Sequence, residues 1–233
     1  DGRPDAPQIF MLPMTGGEPW QVTTVTRGVG GPVWSPDGKW IAFSNNATPD
    51  DLAKQGKPPA PDARDSDVRV ITRAVYRSDG GGYLDPSRPG HLWVVAAPSN
   101  PGEKPSPKQL TSGQYGEGSF TWANDSSRIY YTTDRDPEPY YDTPKTQIYS
   151  VAVSGGEPIL LTKLDMGAGG LTLSPDGRRF TFVSSANTKP VKSYAQPDLW
   201  VMDIAPDAQP KNLTSGFDFD IGSGLTGDQA APR

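Results

Sequence analysis

Hydrophobic and polar residues alternate along short stretches of this chain of 233 residues, and the same alternation returns at intervals. A pair of apolar positions, two residues apart, occurs three times: Ile41 and Phe43, Ile129 and Tyr131, and Phe180 and Phe182. A period of two places such side chains on one face of an extended segment, which is typical of a β-strand. The pattern therefore predicts a strand that repeats along the chain.

Two further landmarks advance along the chain in step with this strand. The Trp-Ser-Pro-Asp-Gly segment at 34–38 recurs in modified form at 122–126 and 173–177. In the copies at 34–38 and 173–177, proline presets φ and glycine takes the left-handed position, so this segment is expected to be a tight hairpin turn. An apolar residue followed by threonine recurs at 22–23, 110–111, 161–162 and 213–214. Because independent landmarks repeat together, the sequence predicts repeated structural units.

Each predicted unit contains four short strands, which is the pattern of a β-propeller blade. The 26 glycines and 26 prolines also disfavour long helices. We predict an all-β fold, a partial β-propeller of four-stranded antiparallel blades. Complete blades are expected at 24–111, 112–162 and 163–214, with partial blades at 1–23 and 215–233. Three complete blades do not close a ring, so we expect the chain to be a fragment of a longer protein.

The connections of variable length all belong to one end of the predicted blades. These connections join the second strand of a blade to its third, at 45–90, 134–146 and 185–197. Long loops on a rigid scaffold are where binding residues concentrate, so this end is predicted to be the functional one. In the longest insert, 48–67 is expected to be a solvated, flexible segment, and 68–76 another strand before a glycine-rich turn at 77–85.

The first two inserts combine aromatic and charged residues that are candidates to receive a peptide-like ligand, with the aromatic rings as walls. The predicted substrate-binding residues are Arg73, Tyr76, Arg77, Tyr83, Glu138, Tyr140 and Tyr141. The alternative is that these loops only pack on their neighbours.

The residues provide no recognisable catalytic group. The chain has no cysteine and one histidine, and it lacks the Gly-x-Ser-x-Gly turn of a serine hydrolase, so no catalytic residue, metal site or cofactor is predicted. The equivalents of His91 in the other blades are polar, which favours a structural role for it: Gln8, Gln147 and Asp198. A lower-ranked alternative is a propeller enzyme that uses carboxylates, with Asp218 and Asp220 alternating in a strand, or Glu117 and Asp165 in the connecting loops.

The charge and the apolar runs restrict the partners. The net charge of −5 and the pI near 4.9 disfavour binding to nucleic acid or to an anionic membrane. No apolar run approaches the roughly 18 residues that a membrane span requires. The acidic, cysteine-free composition favours the periplasm over the cytoplasm, and the sequence leaves open whether the chain forms a homo-oligomer.

The blade segments Ser-Pro-Asp-Gly-Lys-Trp-Ile-Ala-Phe at 35–43 and Gly-Gly-Glu-Pro at 16–19 and 155–158 resemble the TolB-like propeller repeat. The insert segments at 69–73 and 76–85, followed by His-Leu-Trp-Val-Val at 91–95, resemble the N-terminal propeller of the prolyl oligopeptidase family. Within that family, the acylaminoacyl-peptidase and dipeptidyl-peptidase branch is the most similar. The resemblance covers nearly the entire chain.

The resemblance implies a propeller that filters short peptides for a C-terminal α/β-hydrolase domain carrying Ser, Asp and His. That domain is absent from this sequence, so the chain alone is expected to be inactive. The partners implied are the hydrolase domain of the same protein and short peptide substrates. By the same resemblance, Glu138, Tyr140 and Tyr141 are candidates to hold the free amine of the substrate. The alternative from another functional class is a TolB-like, non-enzymatic scaffold that binds proteins.

Overall fold

The computed structural model describes residues 6–56, 68, 70–78, 82–136, 142–187, 195–205, 207–219 and 221. These residues contain sixteen strands and one short helix, α1 (Pro49–Lys54). In chain order the strands are β1 (Phe10–Met11), β2 (Trp20–Gln21), β3 (Gly30–Trp34), β4 (Trp40–Asn45), β5 (Arg77–Ser78), β6 (Gly82–Tyr83), β7 (His91–Ala96), β8 (Lys108–Gln109), β9 (Phe120–Trp122), β10 (Arg128–Thr133), β11 (Thr146–Ala152), β12 (Ile159–Leu164), β13 (Gly169–Leu173), β14 (Arg179–Ser184), β15 (Asp198–Asp203) and β16 (Lys211–Asn212).

Three antiparallel sheets of four strands form the body of the protein. Their strand orders are β3-β4-β7-β8, β9-β10-β11-β12 and β13-β14-β15-β16, and β1 pairs with β2 as a two-stranded sheet before them. The predicted all-β fold of four-stranded antiparallel blades is confirmed. After β16, none of the described residues at 213–219 and 221 lies in a strand. None of the described helical residues forms a segment long and apolar enough to cross a bilayer.

The hairpin between the first two strands of a blade is held by its own side chains. In the first blade, the Ser35 hydroxyl donates to the Asp37 carboxylate at 2.7 Å, and that carboxylate accepts the backbone N–H of Lys39 at 3.1 Å. These hydrogen bonds to the ionised form, that of Ser35 above all, lower the pKa of Asp37. Gly38 then takes a φ of +68°. The predicted turn chemistry is therefore present at this position.

The core lies between consecutive sheets. On β4, Ile41 and Phe43 pack toward β1 and β2, whereas Ala42 packs toward the second blade. A third cluster joins the second and third blades, where Ile148 contacts the group that contains Phe180 and Phe182. Alternate residues of a middle strand thus face different neighbouring sheets, so the first complete blade is buried on both faces.

The first insert differs from the sequence-based expectation in two places. Residues Pro49–Lys54, expected to be flexible, form α1 because Thr48 and Asp51 make a capping box: the Asp51 N–H donates to the Thr48 hydroxyl at 3.2 Å, and the Thr48 N–H donates to the Asp51 carboxylate at 2.9 Å. The strand expected at 68–76 is wrong, since no described residue there is in a strand. Val70 is 83% exposed and Ile71 53%, so these side chains have no sheet to pack against. A short hairpin of β5 and β6 follows instead.

Candidate functional site

A cleft of about 690 Å³ opens beside the first insert. Its walls combine insert residues with Arg27, which belongs to the connection between β2 and β3. Both segments lie at the end of the blades that carries the long connections. The volume falls within the range typical of sites for small ligands.

Two tyrosines line the cleft from the hairpin of β5 and β6. The Leu84 N–H donates to the Tyr76 carbonyl at 2.9 Å, which fixes the two ends of the hairpin against each other. The rings of Tyr76 and Tyr83 lie 6.2 Å apart, tilted by 31°, and each residue is almost half exposed. The guanidinium of Arg77 lies 5.7 Å from the centre of the Tyr83 ring, a cation–π distance. The hairpin thus presents an aromatic wall to the cleft.

Arg27 is held at the cleft in a strained backbone conformation. Its φ is +68°, in the left-handed region that costs a residue with a side chain roughly 1–2 kcal/mol. The next residue, Gly28, has no room for a side chain, because a Cβ would lie 2.7 Å from Pro7 Cδ. The Val29 N–H donates to the Pro7 carbonyl at 2.8 Å and completes this turn. The fold therefore fixes the position of the Arg27 backbone beside the cleft.

Arg88 joins the cleft to helix α1. Its guanidinium forms an ion pair with Asp51 and a second one with Asp85, whose carboxylate lies 3.2 Å from Nε. The hydrogen bond from Arg88 lowers the pKa of Asp51 to about 2. The hydrogen bond from Ser87 is the largest cause of the lowered pKa of Asp85. Because two carboxylates neutralise Arg88, its main role is to fasten the later part of the insert to α1.

Arg27 and Arg73 differ from Arg88 in their surroundings. Both line the cleft and both are exposed. Within the part of the chain that the structure describes, neither forms an ion pair with a carboxylate. Their positive charge is therefore available at the surface of the cleft.

The predicted binding residues fall into three groups. The structure brings Arg73, Tyr76 and Tyr83 together on the cleft, and it places Arg77 against the Tyr83 ring, outside the lining. The remaining three predicted residues, Glu138, Tyr140 and Tyr141, lie outside the described residues. Sequence reasoning missed Arg27 and Arg88. The sequence did contain a signal for Arg27. The repeat places its connection at the same end of the blades as the long inserts, and the glycine that follows it indicates a tight turn there.

His91 forms a buried pair with Glu117. The His91 Nδ1 lies 3.0 Å from Glu117 Oε2, and the two side chains are only 7% and 4% exposed. The Thr111 hydroxyl donates to the same carboxylate oxygen at 2.7 Å and accepts the Leu92 N–H at 2.9 Å. This network ties the start of β7 to the end of the blade and to the loop before β9, which is a structural use of the histidine.

The alternative carboxylates do not assemble into a site. Asp218 is exposed and lies outside any strand, contrary to the expected alternation, because the chain turns at 215–216. Asp220 lies outside the described residues, Asp165 is exposed, and Glu117 is engaged with His91. Among the described residues, no group of three or more histidine, aspartate or glutamate side chains is placed to hold a metal ion.

Comparison with known proteins identifies the fold. No protein-family model matches the sequence, and no curated protein shows a significant match. Acylaminoacyl peptidase from Pyrococcus horikoshii is similar in structure with a TM-score of 0.57 and 18% identity, over 93% of this chain and 30% of that one. A candidate TolB protein from Agrobacterium tumefaciens gives a TM-score of 0.51 and 19% identity, over 87% and 55%. An oligogalacturonate lyase in complex with manganese gives a TM-score of 0.50 and 14% identity, over 84% of this chain and 39% of that one. The chain thus spans between about a third and just over half of these proteins, and it has the β-propeller fold that TolB and peptidase propellers share.

Proposed function

We propose that this chain is the propeller part of a serine peptidase of the prolyl oligopeptidase family. In this proposal, the propeller admits short peptides and forms a wall of their binding site. A C-terminal α/β-hydrolase domain of the same protein supplies the nucleophile and the base, and releases N-terminal acyl-amino acids or dipeptides.

The observation that carries the proposal is the cleft that the first insert builds at the loop end of the blades. The insert has the sequence that resembles this family, and in the structure it contributes Arg73, Tyr76 and Tyr83 to one surface. Aromatic walls and exposed charges on a rigid scaffold suit a peptide, whose backbone offers polar groups and whose side chains offer apolar area. The fold similarity to acylaminoacyl peptidase is compatible with this function.

Labelling of the natural gene product with a fluorophosphonate tests the proposal, since such probes modify an activated serine. We expect a labelled protein well above the 25.0 kDa of this chain. The isolated chain is the control and stays unlabelled, because its sequence has no nucleophile turn. A natural product of 25.0 kDa that is not labelled would overturn the proposal.

A non-enzymatic scaffold is the second candidate, and the fold similarity to the candidate TolB protein favours it. The same experiment separates the two functions. A larger product that resists labelling and lacks peptidase activity, but co-purifies with a protein partner, supports the scaffold.

A further inference from the structure

We propose that the cleft beside the first insert binds the carboxylate of a short peptide, and that Arg27 and Arg73 are the residues that recognise it. This inference rests on the proposed function, and it names the chemical group that the peptide presents to the propeller.

The balance of charge on the cleft surface is the first argument. Among the described residues, the lining contains three arginines, Arg27, Arg73 and Arg88, and one carboxylate, that of Asp85. Asp85 and Asp51 are both bound to Arg88, on the side of the insert that faces α1. Arg27 and Arg73 have no described carboxylate partner, so a negative group of the ligand is the natural complement of this surface.

The positions of these arginines are the second argument. Arg27 lines both the main cleft and an adjoining cavity of about 330 Å³, which Arg88 and Gly90 also border. Its strained backbone is fixed by the turn that packs on Pro7. A strained residue that the surrounding structure holds at a cleft points to a function for that residue.

The neighbouring walls identify the rest of the ligand. Tyr76 and Tyr83 give the cleft exposed aromatic surface, and Val70 and Val75 add aliphatic surface. A guanidinium matches a planar carboxylate with two parallel hydrogen bonds, whereas a polyanion would meet a protein of net charge −5. A short peptide with a carboxylate combines the apolar and the anionic features.

Calorimetry with paired peptides tests the inference. N-acetyl-trialanine as the free acid and as the C-terminal amide differ by one carboxylate. We expect the acid to bind the protein about tenfold more tightly than the amide, as a charge-assisted hydrogen bond provides. We also expect added salt to weaken binding of the acid more than binding of the amide, because salt screens the charges of exposed arginines.

A second pair of probes identifies the source of the carboxylate. The amides of N-acetyl-Ala-Glu-Ala and N-acetyl-Ala-Gln-Ala differ only in an acidic side chain. A preference for the acid of trialanine assigns the cleft to the C-terminal carboxylate, and a preference for the glutamate peptide assigns it to an acidic side chain. Either preference supports the recognition of a carboxylate.

Matched variants assign the residues. The variants are Arg73→Gln and Arg27→Asn, the latter chosen because asparagine tolerates a positive φ. Each should weaken binding of the acid about five- to tenfold and leave binding of the amide unchanged. Arg178→Gln is the control. It removes the same charge from an exposed residue in the turn between β13 and β14, which does not line the cleft, and the variant should bind both peptides like the wild type. Thermal unfolding of each variant shows whether it folds.

The possible results separate this inference from the proposed function. Equal binding of acid and amide, in both probe pairs, overturns the carboxylate site and leaves peptide binding intact. Absence of binding for every peptide overturns the peptide wall of the proposed function together with this inference. Both comparisons use the unmodified protein, so they hold even if a variant fails to fold.

Discussion

At the scale of single residues, two of the recurring threonines, Thr23 and Thr214, have the same defined task. The hydroxyl of Thr23 accepts the Ile9 N–H at 2.9 Å and donates to Gln8 at 2.9 Å. The hydroxyl of Thr214 accepts the Leu199 N–H at 3.0 Å and donates to Asp198 at 2.8 Å. Each threonine thus joins the outer strand to the first polar residue of the neighbouring strand.

The blade that carries His91 uses a different version of this bond. Here Thr111 donates to Glu117, and Glu117 in turn contacts His91. In this blade the threonine hydroxyl therefore donates to a residue of the following loop, whereas Thr23 and Thr214 donate to residues of their own blade. This change fastens that loop to the end of the insert, where the Glu117 N–H also donates to the Gly90 carbonyl at 2.9 Å.

Replacement of Glu117 tests the value of this network. Glu117→Ala leaves the His91 ring and the Thr111 hydroxyl buried without their partner, so we expect a loss of about 3 kcal/mol in the free energy of unfolding, measured with urea at pH 7. His91→Gln introduces the residue type found at two of the three equivalent positions and should cost less than Glu117→Ala. The exposed Glu157→Ala serves as the control. If all three variants are equally stable, the pair contributes nothing to the fold.

At the scale of elements, helix α1 and the insert behave as one anchored unit. Asp51 supplies the capping box of α1 and also binds Arg88, which lines the cleft. The lowered pKa of Asp51 means that the fold favours its ionised form. The cleft wall therefore depends on a helix that belongs to the same insert.

Asp51→Asn should loosen this unit. Because the folded-state pKa of Asp51 is about 2 and its ordinary value is 3.8, the carboxylate stabilises the protein above pH 4, and this contribution is lost as the pH falls from about 4 toward 2. We expect the variant to be less stable by about 1–2 kcal/mol at pH 7 and the difference to shrink in acid. Asp50→Asn, in the same helical turn but exposed, should change stability by less than about 0.5 kcal/mol. Urea unfolding across this pH range checks both, and a difference that grows in acid would contradict the assignment.

At the scale of the whole molecule, stability comes from sheets packed on each other. Leu110 is 7% exposed because it packs between the first and second blades, whereas its repeat equivalent Leu213 is 49% exposed. The same sequence position thus has a different environment in different blades. Contacts between blades, more than the strands themselves, supply the buried apolar area.

A matched pair of variants measures this packing in the 233-residue chain. Leu110→Ala removes a buried side chain between two sheets and should lower the free energy of unfolding by about 2–4 kcal/mol. Leu213→Ala, at the equivalent position, should cost less than about 1 kcal/mol because half of that side chain already contacts solvent. Urea unfolding of both variants gives the comparison. Equal losses would show that the two positions are packed alike.

The amino-acid sequence was sufficient for the fold class and the hairpin turns because these depend on short-range patterns. Alternating apolar residues, the Ser-Pro-Asp-Gly turn and the repeated threonine predicted four-stranded antiparallel sheets, and the structure contains them. The loop end was also identified, since the lengths of connections can be read from a repeat. The sequence-based prediction missed α1. The residues of its capping box, Thr48 and Asp51, are visible in the sequence, but the prolines and charges around them favoured the prediction of a flexible segment.

Tertiary structure decided the composition of the cleft and the partners of the buried groups. Arg27 meets the insert from a connection far away in sequence, and Glu117 reaches His91 from the next blade. Which side chains converge is determined by how sheets twist and pack, and that is a long-range property that no local pattern contains. The same cause explains why the strand expected around Val70 and Ile71 is a surface segment. Residues of high strand propensity form a strand only beside a neighbouring strand, and the fold provides none there, so both side chains are exposed.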